Sequence, residues 1–136
     1  MTDEKIPTRQ IDRRMYRNYL KKAEEFYDTM NDALRNQRWN AVALNAIHCG
    51  ISANDALLAR YHGIRCASKD HGDAVRVLLA RFDPETVKQG AGHLTRMLKE
   101  KSLVEYEERL YTQTSAIKIA KHAERFLSWV RSMLEK

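Results

Sequence analysis

The sequence is short of the residues that break regular structure. Its 136 residues include 5 Gly and 2 Pro, which excludes collagen-like and low-complexity chains and argues against a turn-rich all-β sandwich. Cysteine is equally scarce. Cys49 and Cys66 stand 17 positions apart with no second pair, a spacing that fits neither a zinc ribbon nor a disulfide framework. Two reduced thiols in a cytosolic protein are the expectation. No window approaches the ~18–20 apolar residues of a membrane span. The opening MTDEKIPTRQIDRRMYRNY has no apolar stretch behind its charges, so it does not read as a secretory signal. A soluble cytoplasmic protein is expected.

What remains is a chain with 43% apolar residues and 24 Lys+Arg against 18 Asp+Glu, a formal charge of +6. That apolar content is too high for a disordered chain. At this length one domain with its own core is the natural reading. The excess charge is spread out. Residues 1–62 hold ten basic against eight acidic side chains, and residues 63–136 hold fourteen against ten. Neither half is a polyanion-binding tail, so the charge reads mainly as solvated helix faces.

Helical spacing of apolar residues runs through nearly the whole chain. A first helix is expected from about Arg9 to Asn36, its stripe carried by Tyr16, Tyr19, Ala23, Phe26, Met30 and Ala33. A second spans Trp39 to Tyr61 and stops at Gly63. A third, from Asp70 to Phe82, has Ser68 and Asp70 as caps. Asp83-Pro84-Glu85 starts a fourth, since a capping residue followed by Pro suits the first helical position. It is expected to reach about Tyr111, with a kink or break near Gly90 and Gly92. The last begins near Thr114 or Ser115 and has a seam of Ala116, Ala120, Ala123, Leu127, Val130 and Leu134. No run alternates like a strand. The expectation is an all-α, up-and-down antiparallel bundle of four long helices and one shorter one, with residues 1–8 as a flexible N-terminus and 9–136 as one domain.

The second helix differs from the rest. At ~100° per residue, Asn45, His48, Ser52, Asp55 and His62 form one narrow polar stripe, while small or apolar residues fill most other positions. Gly50 costs ~1 kcal/mol relative to Ala inside a helix, so a close approach by a neighbouring helix is expected there. Asn54 falls in the apolar arc and needs hydrogen-bond partners. This helix is therefore expected to be central. Its polar stripe is either an edge whose side chains bond one another or one wall of a binding site.

A second cluster follows in Tyr61-His62-Gly63-Ile64-Arg65-Cys66-Ala67-Ser68-Lys69-Asp70-His71. A phosphate placed at the N-terminus of the third helix would be paired there by Arg65 or Lys69, with His71 near enough to move a proton. The plainer alternative has Asp70 capping the helix, with Arg65 and His71 in packing or surface roles. The candidate ligand-binding residues are thus His48, Ser52, Asp55, His62 and Lys69, and the candidate catalytic pair is Arg65 and His71.

With HCGISANDALLARYHGIR, DHGDAVRVL, KSLVEYEERLY and TSAIKIAKHAERFLSWVRSML, the sequence resembles a HEPN domain, a small all-helical module widespread in prokaryotes. The resemblance covers roughly Arg9 to Leu134. It implies a module that binds nucleotide or RNA, in some cases beside a nucleotidyltransferase partner. Many members are metal-independent endoribonucleases with an Arg, four to six residues, then a His. Arg65 and His71, with five residues between them, fit that spacing, although Cys66 follows the Arg where that motif usually has a polar residue such as Asn. Carried over, His71 acts as acid or base on the 2′-hydroxyl and Arg65 stabilises the charged phosphorane, in a composite site completed by a homodimer. No cofactor is implied.

Two further readings stay open. A metal-binding bundle would draw on His48, Asp55, His62 and His71, although no HExxH or Glu-x-x-His pair is present. A structural interaction protein would dimerise through an apolar helix face, with Trp39 and Trp129 as interface residues.

Overall fold

The computed structural model describes residues 6–70 and 72–136. Amphipathic spacing becomes helix almost wherever it occurs. The elements are β1 (Thr8–Gln10), α1 (Tyr16–Arg35), α2 (Trp39–His62), β2 (Ile64–Cys66), α3 (Gly72–Arg81), α4 (Pro84–Leu98), α5 (Lys101–Tyr106) and α6 (Gln113–Leu134), with a 3-10 turn at Arg13–Met15 before α1. Four long helices make the all-α bundle, and α3 and α5 are the short ones.

α2 is the central element. Ala43, Ala46, Ile47, Ala53, Ala56 and Leu57 on it are fully buried, and it packs against α1, α4, α5 and α6. Small residues along α2 let its neighbours come close. A Cβ added at Gly50 would sit 2.9 Å from Met97 Cε on α4. The seam expected on α6 is buried throughout, Ala116, Ala123, Leu127 and Val130 among it. Arg131 on α6 reaches Glu24 on α1 at 3.0 Å.

Helix ends follow their local chemistry. Gly63 takes the left-handed conformation, φ 64°, that ends α2, a conformation glycine adopts without the penalty a Cβ brings. Asp83 accepts the Glu85 N–H at the start of α4, with Pro84 in the first turn. Thr112 accepts the Ser115 N–H at the start of α6.

Two expectations need correction. The fourth helix does not run on to Tyr111. It ends at Leu98, and a separate short helix, α5, follows. Nor does α4 break at its glycines. It passes straight through Gly90 and Gly92, because Gly90 is where Trp129 of α6 lies against the helix, with ring carbons 2.4 Å from where a Cβ would stand. That contact makes Trp129 part of the α4–α6 packing. Ahead of α1 the chain lies along the connector between α2 and α3, where the Pro7 carbonyl accepts the Ala67 N–H at 2.9 Å. β1 pairs antiparallel with β2, Thr8 opposite Cys66, and Ile6 is buried beside Leu58, Ile64 and Val77. Three-residue strands are too short to show an alternating pattern, which is why this small sheet is invisible in the sequence. The remainder of the 1–8 segment lies outside the described residues.

Candidate functional site

The strand pair fixes the connector between α2 and α3. Arg9 lies opposite Arg65 in the register, the Ile11 N–H donates to the Gly63 carbonyl at 2.8 Å, and Arg13 donates to the Tyr61 carbonyl at 2.7 Å. Arg65 is thereby held on an ordered strand and turned back against α2.

There it meets Asp55. The guanidinium approaches the carboxylate at 3.3 Å and lies 5.7 Å from the centre of the Tyr19 ring. Asp55 is only 6% exposed. Burial raises its pKa to about 6, outweighing the opposing pull of Arg65 and Lys22, as expected when a carboxylate leaves water.

Asp55 and Arg65 line a cavity of about 210 Å³ with Asn54, Ser68, Asp70 and Leu94. Asn54 is 1% exposed, and its Oδ1 has no hydrogen-bond partner among the described residues; neither does Arg65 Nε. A buried acceptor left unpaired costs on the order of 1–3 kcal/mol. The cavity therefore presents an orphan acceptor, a guanidinium and a carboxyl that changes charge near pH 6.

The structure separates the rest of the polar stripe. His48 faces Glu105 of α5, Nε2 to Oε2 at 3.4 Å, and stacks at 5.5 Å on Phe26. Glu105 also takes an ion pair from buried Lys101 at 2.6 Å. Burial alone would raise the Glu105 pKa, but Lys101 and His48 together bring it below the ordinary value. Ser52 is buried. His62 packs edge-on against Phe82 at 4.8 Å, and burial lowers its pKa. Lys69 is exposed. The stripe residues thus do not bond one another, and of the five candidate ligand-binding residues only Asp55 lines the cavity.

At the start of α3 the Asp70 carboxylate accepts the Gly72 N–H at 3.0 Å, and Ser68 Oγ accepts the Asp70 N–H at 3.1 Å. Ser68 in turn donates to Asp73 at 2.6 Å. An acidic cap thus stands at the helix N-terminus where the sequence suggests a phosphate. His71 lies outside the described residues, so its geometry relative to Arg65 is not part of this site. Cys49 is buried, and that burial pushes its thiol up to about 12, which removes it as a nucleophile at neutral pH. Cys66 is partly buried, and both thiols are free.

Among the described residues, no group of three or more His, Cys, Asp or Glu side chains could hold a metal ion. His48, Asp55 and His62, offered above as ligands, instead face Glu105, Arg65 and Phe82 respectively. No helix among the described residues is long and apolar enough to cross a membrane.

Fold and site together define a small helical module with a polar cavity beside its central helix. The family model for the HEPN domain matches residues 16–133, and the chain belongs to the HEPN domain family, whose members are nucleotide- or RNA-associated modules in general. No curated protein matches the sequence.

Proposed function

We propose that this chain is a HEPN module that binds a nucleotide or an RNA segment at the cavity between α2, β2 and α4. The observation that carries the reading is the unpaired Asn54 Oδ1 inside a cavity whose rim holds Arg65. A nucleobase brings amino or ring N–H groups that satisfy such an acceptor, and a guanidinium suits the adjoining phosphate. Asp55 orients Arg65 and sets its charge balance. No base-stacking motif accompanies the cavity, so recognition is of the nucleotide class rather than of a sequence.

The test is equilibrium binding of nucleoside monophosphates and short RNA at low salt. Binding that falls at least roughly tenfold in Arg65→Ala, the scale of a lost charge-assisted contact, supports the assignment. Undetectable binding, or binding unchanged in that variant, rejects it.

The same reading extends to partners: a second copy of this chain, and a nucleotidyltransferase-type protein. Light scattering that finds only monomer counts against the homodimer. Ribonuclease action through Arg65 and His71 is the alternative within the family. RNA cleavage in EDTA that disappears in His71→Ala would move the assignment from binding to catalysis.

A further inference from the structure

A second cluster of polar side chains lies on the other side of α4, and none of its members lines the Arg65 cavity. His93 on α4 and His122 on α6 meet with their Nδ1 atoms 3.0 Å apart and their ring centres at 5.2 Å. The pair forms the ridge between two concavities. His93 and Arg125 line one of about 500 Å³, together with Trp129 and Glu124. His122 and Arg96 line the other, of about 200 Å³, together with Lys118 and Glu100.

Two imidazoles in this contact share one hydrogen, one Nδ1 donating and the other accepting. The accepting ring must then carry its own proton on Nε2. Adding one further proton leaves the Nδ1–H···Nδ1 bond intact, turns both Nε2 atoms into N–H donors and gives the pair a positive charge. Both rings titrate below the ordinary imidazole value. For His93 the causes are burial, then Arg125 and Arg96; for His122 they are burial, then His93, Arg96 and Arg125.

Cations outnumber acids around the pair. Arg96 on α4 and Arg125 on α6 are both exposed, and among the described residues neither forms an ion pair with a carboxylate. Lys118 adds a third cation on α6. Each concavity also holds one acid: Glu100, beside His122 and Arg96, is occupied by the Tyr111 hydroxyl at 3.0 Å, and Glu124 lines the concavity of His93 and Arg125. Two guanidiniums beside two imidazoles repel a metal cation and favour an oxyanion.

We propose that His93, His122, Arg96 and Arg125 form a two-sided phosphate-binding ridge, in which each outward Nε2 donates to an anion in its own concavity, His93 with Arg125 on one side and His122 with Arg96 on the other. The site is separate from the Arg65 cavity and stands or falls without it. Its ligand is a phosphate group carried either by a free nucleotide or by a polynucleotide backbone.

The test is NMR of the full chain, following the imidazole Cε1–H signals during titration with inorganic phosphate, with AMP and with a short oligoribonucleotide lacking terminal phosphates. The expected result is that His93 and His122 shift and that their pKa values rise on binding, while His48 and His62 stay still. Because diester charge is constant across this range, oligonucleotide binding should strengthen roughly tenfold between about pH 7.5 and about pH 5.5. A response to phosphate and AMP alone identifies a terminal monoester as the ligand; a response to the oligonucleotide as well identifies the backbone. The paired variant Arg96→Gln/Arg125→Gln alters only exposed side chains and should abolish the shifts while Arg65-dependent binding persists. Silent His93 and His122 signals with all three probes overturn the proposal, as do shifts that survive undiminished in the paired variant.

Discussion

At the residue scale, Asp55 sets a pH dependence whose sign follows from its burial. The unfolded chain releases this proton near the ordinary carboxylate value, 3.8, whereas the folded protein keeps it up to about 6. Between those values the folded state binds more protons, so stability falls as pH rises through that window and levels off above it. Asp55→Asn removes the titration. Denaturant unfolding of the two proteins should therefore diverge from about pH 4 to about pH 7 in favour of the variant, by about 3 kcal/mol for a two-unit shift. A constant difference across that range would show that Asp55 ionises normally in the fold. Asn54 gives the companion prediction. Replacing its unpaired amide with Leu, of similar size, should raise the unfolding midpoint and weaken nucleotide binding together. A variant that gains stability yet binds unchanged ligand would take Asn54 out of the recognition site.

At the scale of the element, three helical glycines separate intrinsic propensity from packing. Gly92 has open space around the position of a Cβ, Gly50 meets the flexible end of Met97 at 2.9 Å, and Gly90 meets the Trp129 ring at 2.4 Å. Gly92→Ala should stabilise by about 0.5–1 kcal/mol, the propensity difference alone. In Gly50→Ala that gain should be nearly cancelled as Met97 moves aside, because methionine repacks readily. Gly90→Ala forces a rigid indole to shift and should cost about 1–3 kcal/mol. Thermal unfolding of the three variants gives the order directly, and a Gly90→Ala protein as stable as the parent would contradict the close α4–α6 approach.

The same three positions show what a linear pattern conveys. Gly50 stands among small residues on a helix with almost no wide polar face, so a close neighbour there is legible. Gly90 and Gly92 look alike in sequence, and only the indole that arrives from α6 distinguishes them. The end of α4 at Leu98 is hidden in the sequence for a related reason. Apolar spacing continues across Leu98 into Leu103 and Val104, but Lys101 turns inward to Glu105, which also faces His48, and a periodicity of hydrophobic residues does not register such an ion pair.

For the molecule as a whole, the distribution of charge governs how it meets a polyanion. Lys and Arg exceed Asp and Glu by six, yet many of the cations are engaged, Arg14 with Asp12 at 2.7 Å and Arg131 with Glu24 at 3.0 Å among them. RNA binding should accordingly show a shallow salt dependence, with a log–log slope of magnitude about 1–3, since only a few phosphates are neutralised. A slope of about 6 or more would indicate a broad basic surface in place of the discrete sites described above.

The amino-acid sequence by itself determined the helical class, the central place of α2, the caps at Gly63 and Asp83, and the buried seam of α6. Each of these depends on neighbours within a turn or two of helix, where 3.6-residue periodicity and capping chemistry act locally. The tertiary structure alone decided which polar side chains meet. Asp55 finds Arg65 because a three-residue strand pairs with the segment before α1, His48 finds Glu105 on a helix that the hydrophobic pattern does not reveal, and His93 finds His122 across 29 positions of chain. Such contacts are set by how whole helices pack against one another, and no spacing along the chain encodes them.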